Sequence, residues 1–236
     1  MSSASIRRLR TLIAHDVRLQ FRYGIYYAYG FVVAFYVAAL VFGRDIFPGW
    51  LPGLVIFTDP AVVGFFFLGA LMMLEKAENV RLALGMTPVT GRAYFASKCV
   101  TLTGLSVAAV SILTIFLHQG ANWPLLVLAC ALTSVAYLGF GVLAAAYFRT
   151  VTSYLIGSTV FIVPAILPGL MAFYDPMPGW AMLIPTASQF RLILISTGYG
   201  QATGTEVALM LAICAFTAVV SCFLAIRQLE KEFGSK

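Results

Sequence analysis

Apolar positions along this chain gather in long unbroken runs instead of alternating. The runs lie at about 25–43, 60–74, 99–117, 124–148, 153–172 and 206–226. A helix of about 20 apolar residues crosses the roughly 30 Å hydrocarbon core of a bilayer. The pattern therefore predicts an all-α membrane protein with six transmembrane helices. The second run is short because Asp59-Pro60 has the chemistry of a helix start, with Asp accepting from free amides and Pro in the first turn. That helix is expected to continue past Glu75. Connections such as 118–123 and 149–152 are short, so consecutive spans should be antiparallel neighbours in one transmembrane domain covering 1–236.

Between the runs, the polar positions have patterns of their own. Over 6–22, Ile6, Leu9, Leu12, Ile13, Val17 and Leu19 share one helical side, and Arg7, Arg8, Arg18 and Arg22 share the other. This predicts a helix lying in the membrane interface, with its arginines on lipid phosphates; the simpler reading is a basic anchor for the first span. Asp16 and Gln20 interrupt the apolar side, so part of it is expected to meet protein. Residues 44–60, with Pro48, Pro52, Pro60 and Trp50, read as an outer interfacial loop with an aromatic anchor. In the fifth span Tyr154, Gly157, Ser158, Phe161, Pro164, Ala165 and Pro168 fall on one face. Two prolines four apart free backbone carbonyls, which protein or a water-lined cavity must satisfy at membrane depth. Such a face either lines a pathway or packs closely through small residues. Within 173–205, Ile184-Pro185-Thr186 looks like a helix start and Gly198, Gly200 and Gly204 mark an exit. The segment predicts an outer re-entrant hairpin before the last span. Arg191 inside it should either pair or reach outer phosphates.

Composition sharpens the topology. The chain is 61% hydrophobic and 10% charged, too apolar for a soluble domain. Placing both termini in the cytoplasm puts 13 of the 15 basic residues inside and leaves only Arg44 and Arg191 outside. Lys/Arg bias in short loops orients membrane proteins, so the net charge of +6 reads as a topology signal and not as a nucleic-acid footprint. The expected location is the inner or plasma membrane of the cell, multi-pass. Cys99, Cys130, Cys214 and Cys222 all lie in apolar runs, and His15 and His118 stand alone. No metal-ligand spacing and no catalytic constellation is present, and Asp59, Glu75 and Glu206 read as lying at span ends.

One charged island, 75-EKAENVRLALGMTPVTGRAYFASK-98, separates the second and third spans. Residues 75–84 favour helix, Gly85 is a natural stop, and Thr87-Pro88 reads as the cap and first turn of a second helix. A solvated loop of helix ends is one explanation. Leu82, Leu84 and Met86 exposed among charges point instead to a docking surface.

Glu75-Lys76, Leu84, Thr87-Pro88, Tyr94-Phe95 and Ser97-Lys98 resemble the motif between the second and third spans of type-2 ABC exporter permeases. The stretch 59-DPAVVGFFFLGALMMLEK-76 is similar to the fluoroquinolone-export permease branch. The resemblance implies the type-2 ABC exporter fold: six spans, an interfacial arm over 6–22, a cytoplasmic coupling loop over 75–98 and the outer hairpin over 173–205. It implies that Glu75, Glu78, Arg81, Leu82, Leu84, Met86, Thr87 and Pro88 couple to a separate ATPase. It also implies that the second and fifth spans line the pathway, through Phe65, Leu68, Tyr154, Ser158, Phe161, Pro164 and Pro168, with Pro185 and Arg191 at an outer gate. Gly91-Arg92 departs from the commonest pattern, and the extra glycine is expected to loosen the second helix.

No G-x-x-x-x-G-K-[ST] phosphate loop occurs in the sequence. The implied assembly is therefore two permease subunits, identical or related, with two copies of an ATPase that holds the ATP and Mg. The expected activity is export of a hydrophobic or amphipathic substrate such as a drug, lipid or apolar peptide. The alternatives are a stand-alone transporter or channel, and an immunity or scaffold protein of the membrane.

Overall fold

The computed structural model describes residues 3–80, 89–117 and 121–234, which are largely helical and hold no strand. Helix α1 (Ser3–Arg22) turns at Gly24, whose φ of 72° is left-handed, into α2 (Ile25–Phe42). Then follow α3 (Leu51–Ala77), α4 (Gly91–Leu117), α5 (Trp123–Ala145) and α6 (Val151–Phe173). The short α7 (Pro185–Ser196) and the long α8 (Gly204–Gly234) complete the order. Helices α2 to α6 and α8 are each long and apolar enough to cross a membrane, so the six expected spans are present.

Local chemistry explains most boundaries. Asn122 caps α5 by accepting from the Leu125 amide at 3.3 Å, and Thr150 with Ser153 forms a capping box on α6. Thr203 and Glu206 exchange the same pair of bonds at the start of α8. Pro185 opens α7 as expected, and Gly198 and Gly200 leave it with φ of 87° and 83°.

Two boundaries differ from the sequence reading. Helix α3 begins eight residues before Asp59, at Leu51, with Pro52 in its first turn and Pro60 inside it. The Asp59 carboxylate is not capping amides of its own helix, because α2 and α4 supply its partners. Helix α4 is capped by Thr90, which accepts from the Ala93 amide at 3.3 Å. Gly91 is the first residue of this helix and faces α8. A side chain there would meet the Glu230 backbone at 3.0 Å, so its absence lets α4 pack on α8.

Helix α5 occupies the centre of the bundle and packs most extensively on α8. Its crossing with α3 is a backbone contact: a Cβ on Gly141 would lie 2.9 Å from the carbonyl oxygens of both Gly64 and Phe65. At this crossing α3 widens into a π turn over Val63–Phe67. The Tyr154 hydroxyl of α6 donates to the Phe65 carbonyl there at 2.6 Å. Two apolar clusters form the core. One, around Leu71, Tyr94 and Val142, lies toward the end that carries both termini; the other, around Phe57, Leu126 and Phe190, lies toward the opposite, far end.

Gly141→Ala should therefore destabilise the bundle by about 1–3 kcal/mol, since both obstructing atoms are backbone. Gly104→Ala, on the same kind of helix but with open space around it, should leave stability unchanged or slightly raised. Melting of the purified protein in detergent checks the pair, and equal melting temperatures would refute the backbone contact.

Candidate functional site

The deepest concentration of charge lies beside the segment between α3 and α4. Lys98, seven residues into α4, is fully buried. Its ammonium donates to Asp16 Oδ1 of α1 at 2.8 Å and to Glu75 of α3. Ser97 Oγ donates to the other Asp16 oxygen at 2.5 Å, and Tyr94 Oη to Glu75 Oε2 at 2.6 Å. The Lys98 ammonium also stands 5.3 Å from the centre of the Tyr94 ring. One turn from Asp16, Gln20 donates to Thr101 at 3.0 Å and accepts from Tyr26 at 2.8 Å. The residues that interrupted the apolar side of the arm thus do face protein.

Two carboxylates against one ammonium leave the cluster formally one negative charge in excess. The hydroxyls of Ser97 and Tyr94 are aimed at that excess. Burying such a group is costly, and it persists only where each charge keeps a partner. Mechanically, it joins the helix ends that flank residues 78–90 to each other and to the arm. An exposed pair, Arg92 with Glu230 at 2.9 Å, adds α8 to the same end; being solvated, it contributes little energy.

Of the expected coupling residues, Glu78 is exposed just past the end of α3. Glu75 is buried and engaged with Lys98, so its carboxylate is not exposed. Arg81, Leu82, Leu84, Met86, Thr87 and Pro88 lie outside the described residues. Among the expected pathway residues, Phe65, Leu68, Tyr154 and Ser158 are buried inside the chain, whereas Phe161 and Pro164 are exposed and Pro168 is half-buried. The single face drawn through α6 is therefore divided: its first turns pack on α3 and its middle faces outward.

Pro185 is half-buried and Arg191 almost fully buried. Arg191 does not reach outward. Its guanidinium donates to the Ala172 carbonyl at 3.1 Å, Asp175 Oδ1 at 2.8 Å and the Gln201 carbonyl at 2.9 Å. It clasps the exits of α6 and α7 around the far-end helix.

Asp59 departs from the span-end position expected for it. Asp59 sits eight residues, about 12 Å, inside α3 and is buried, not at a span end. It accepts from Tyr29 Oη of α2 and from Ser106 Oγ of α4, the latter at 2.9 Å. No ion pair reaches it among the described residues. Tyr29 also lines an apolar groove of about 590 Å³ between α2 and α4. A hydroxyl facing Asp59 from each neighbouring helix was the signal, but only the tertiary fold brings Tyr29, Asp59 and Ser106 together.

The profile of the Fluoroquinolones export permease protein family matches residues 7–233. The chain belongs to that family. Among curated proteins it is 28% identical over 149 residues to the Fluoroquinolones export permease proteins of two Mycobacterium tuberculosis strains, CDC 1551 / Oshkosh and ATCC 25618 / H37Rv. The aligned stretch covers 62% of this chain and 62% of the length of each relative. No solved structure matches the chain. The family and the six apolar helices together make this a multi-pass membrane protein of the permease type.

Lys98→Met should cost on the order of 3–5 kcal/mol, because it strands two buried carboxylates. Adding Asp16→Asn and Glu75→Gln should recover much of that loss. Melting temperature and tryptic release of the arm report both effects. A single variant as stable as the wild type would show that the lysine does not hold the arm.

Proposed function

We propose that the chain is the membrane subunit of an ATP-driven exporter that moves a hydrophobic or amphipathic molecule out of the cytoplasm. The family match over residues 7–233 carries this reading, and the ionic cluster supplies a mechanism for it. A separate ATPase, in two copies and holding ATP and Mg, seats on the cytoplasmic segment 78–90 through Leu82, Leu84 and Met86. Glu78 and Arg81 flank this contact and Thr87-Pro88 shapes its turn. Closure of the ATPases pushes on that segment. Because Lys98 fastens α3, α4 and α1 together, the push is transmitted as one rigid displacement instead of being absorbed by separate helix ends.

Both termini lie in the cytoplasm and the arm lies on the inner surface of the cell membrane, as the distribution of basic residues favours. A second permease subunit, identical or related, faces the outward side of α6, where Phe161 and Pro164 are exposed. The transport pathway runs between the two subunits. The far-end helix around Pro185, clasped by Arg191, gates its exit.

Asp59 favours a second reading, a stand-alone ion-coupled transporter, since an ionisable group within a span is the usual mark of such a pathway. Two measurements separate the readings. An ATPase should co-purify with the tagged chain and be lost on Leu84→Asp with Met86→Asp; undiminished association in that double variant would remove the docking assignment. In cells, ATP depletion should stop export while collapse of the proton gradient at constant ATP should not, and Asp59→Asn should retain export. Export abolished by gradient collapse and by Asp59→Asn would select the ion-coupled reading.

A further inference from the structure

We propose that the groove between α2 and α4 holds an acyl chain of an anionic phospholipid, whose headgroup is bound by Arg18 and Arg22 of the arm.

The groove, of about 590 Å³, is open along a floor of small residues: Gly30, Ala34 and Ala38 of α2 and Ala108 of α4 all line it and are exposed. A Cβ added at Gly30 would meet nothing within 4 Å. The lining spans residues 26–42 of α2 and 105–116 of α4, about 24 and 16 Å of helix. Either length accommodates the roughly 15 Å of hydrocarbon in one leaflet. The lining holds no charged side chain, and its two hydroxyls are already committed: Tyr26 donates to Gln20 at 2.8 Å and Tyr29 donates to Asp59. A polar ligand finds no partner there, whereas a methylene chain needs none.

Small residues also admit a neighbouring helix, but the arm stands in its way. Gln20 bridges Tyr26 of α2 and Thr101 of α4, one turn before Leu105, so the last turns of α1 cross the end of the groove. A spanning helix would have to run through the arm, while a lipid ends at that depth in its headgroup. Phe21, 50% exposed, stacks on the Tyr26 ring with centroids 4.3 Å apart, an aromatic anchor at the boundary.

Charge then selects the headgroup. Asp16, the one acid of α1, is buried and bound to Lys98 and Ser97. Arg7, Arg10, Arg18 and Arg22 are exposed, with no ion pair among the described residues. Arg18 and Arg22 lie within two residues of Gln20, beside the crossing. Guanidinium matches phosphate geometrically, and each one near the surface attracts anionic lipid. Placing this lipid in the inner leaflet rests on the orientation proposed above; the binding itself does not.

The test uses the full-length chain, delipidated in neutral detergent, and titrates fluorescent phosphatidylglycerol and phosphatidylcholine with identical acyl chains, read by anisotropy. Phosphatidylglycerol should bind on the order of tenfold tighter. Arg18→Gln with Arg22→Gln should bring it to the level of phosphatidylcholine. Arg7→Gln with Arg10→Gln, an equal loss of charge farther along the arm, should keep the preference. Gly30→Leu should weaken both lipids on the order of tenfold, the loss of about two buried methylenes, without lowering the melting temperature. Glycerol phosphate, a headgroup without a chain, should not compete. Equal binding of the two lipids, binding of neither, or a preference that survives the Arg18 and Arg22 changes would overturn the proposal. So would a preference lost equally with Arg7 and Arg10, binding untouched by Gly30→Leu, or competition by glycerol phosphate. Dimers that exclude lipid and are lost in Gly30→Leu would give the groove to a second copy and overturn it too. No ATPase takes part in this assay, so its failure is distinct from failure of the exporter reading.

Discussion

Lys98 lies between carboxylates from two other helices in a place where water does not reach. In such surroundings a lone charge is far more expensive than a pair, and each member of the cluster depends on the others being present. That dependence gives the terminal end of the molecule its organisation. The arm cannot leave without breaking the Asp16 contacts to Lys98 and Ser97, and α3 and α4 cannot separate without stranding Glu75. The helix ends on either side of the intervening segment are therefore tied by one electrostatic knot, in which Tyr94 and Ser97 donate to the carboxylate oxygens that the ammonium does not serve. Apolar packing alone would bring these helices together, but it is non-directional and would not fix their register.

The far end is organised by the same economy of charge with a different geometry. Arg191 is satisfied by one carboxylate and two backbone carbonyls, so it ties the end of α6 to the turns that carry Asp175 and Gln201. Asp59 is the exception. It is buried with two hydroxyl donors and no cation among the described residues. Between these sites the helices meet through glycine and through a π turn, where the backbone of α3 itself becomes the contact surface. Phe65, on the π turn, also lines a cavity of about 250 Å³ with Tyr137, Phe140 and Phe161.

Much of this was legible in the residues. The six spans, the start of α7 at Pro185 and the protein-facing role of Asp16 and Gln20 each follow from local pattern. Hydrophobic runs and caps act over a few residues, and a sequence displays such distances directly. What misled was a local rule applied where a distant partner had a stronger claim. Asp59-Pro60 has the chemistry of a helix start, yet hydroxyls from α2 and α4 satisfy the carboxylate, and Pro52 begins the helix eight residues earlier. Arg191 could equally have reached for phosphate until the turns carrying Asp175 and Gln201 folded over it. The face drawn through Tyr154 and Phe161 was geometrically correct for one helix, but a neighbour covers only half of it.

Local pattern is enough to specify six apolar membrane helices, where most of them begin and end, and which residues between 75 and 98 set that segment apart. Those properties depend on transfer of side chains from water to hydrocarbon and on capping of nearby amides, which neighbours in the chain decide. Packing of distant segments settles that Lys98 serves two carboxylates, that Asp59 is buried within a span and that Arg191 is closed over by Asp175 and Gln201. A buried charge is governed by whatever group lies within about 3 Å of it, and for Lys98 and Asp59 that group comes from another helix.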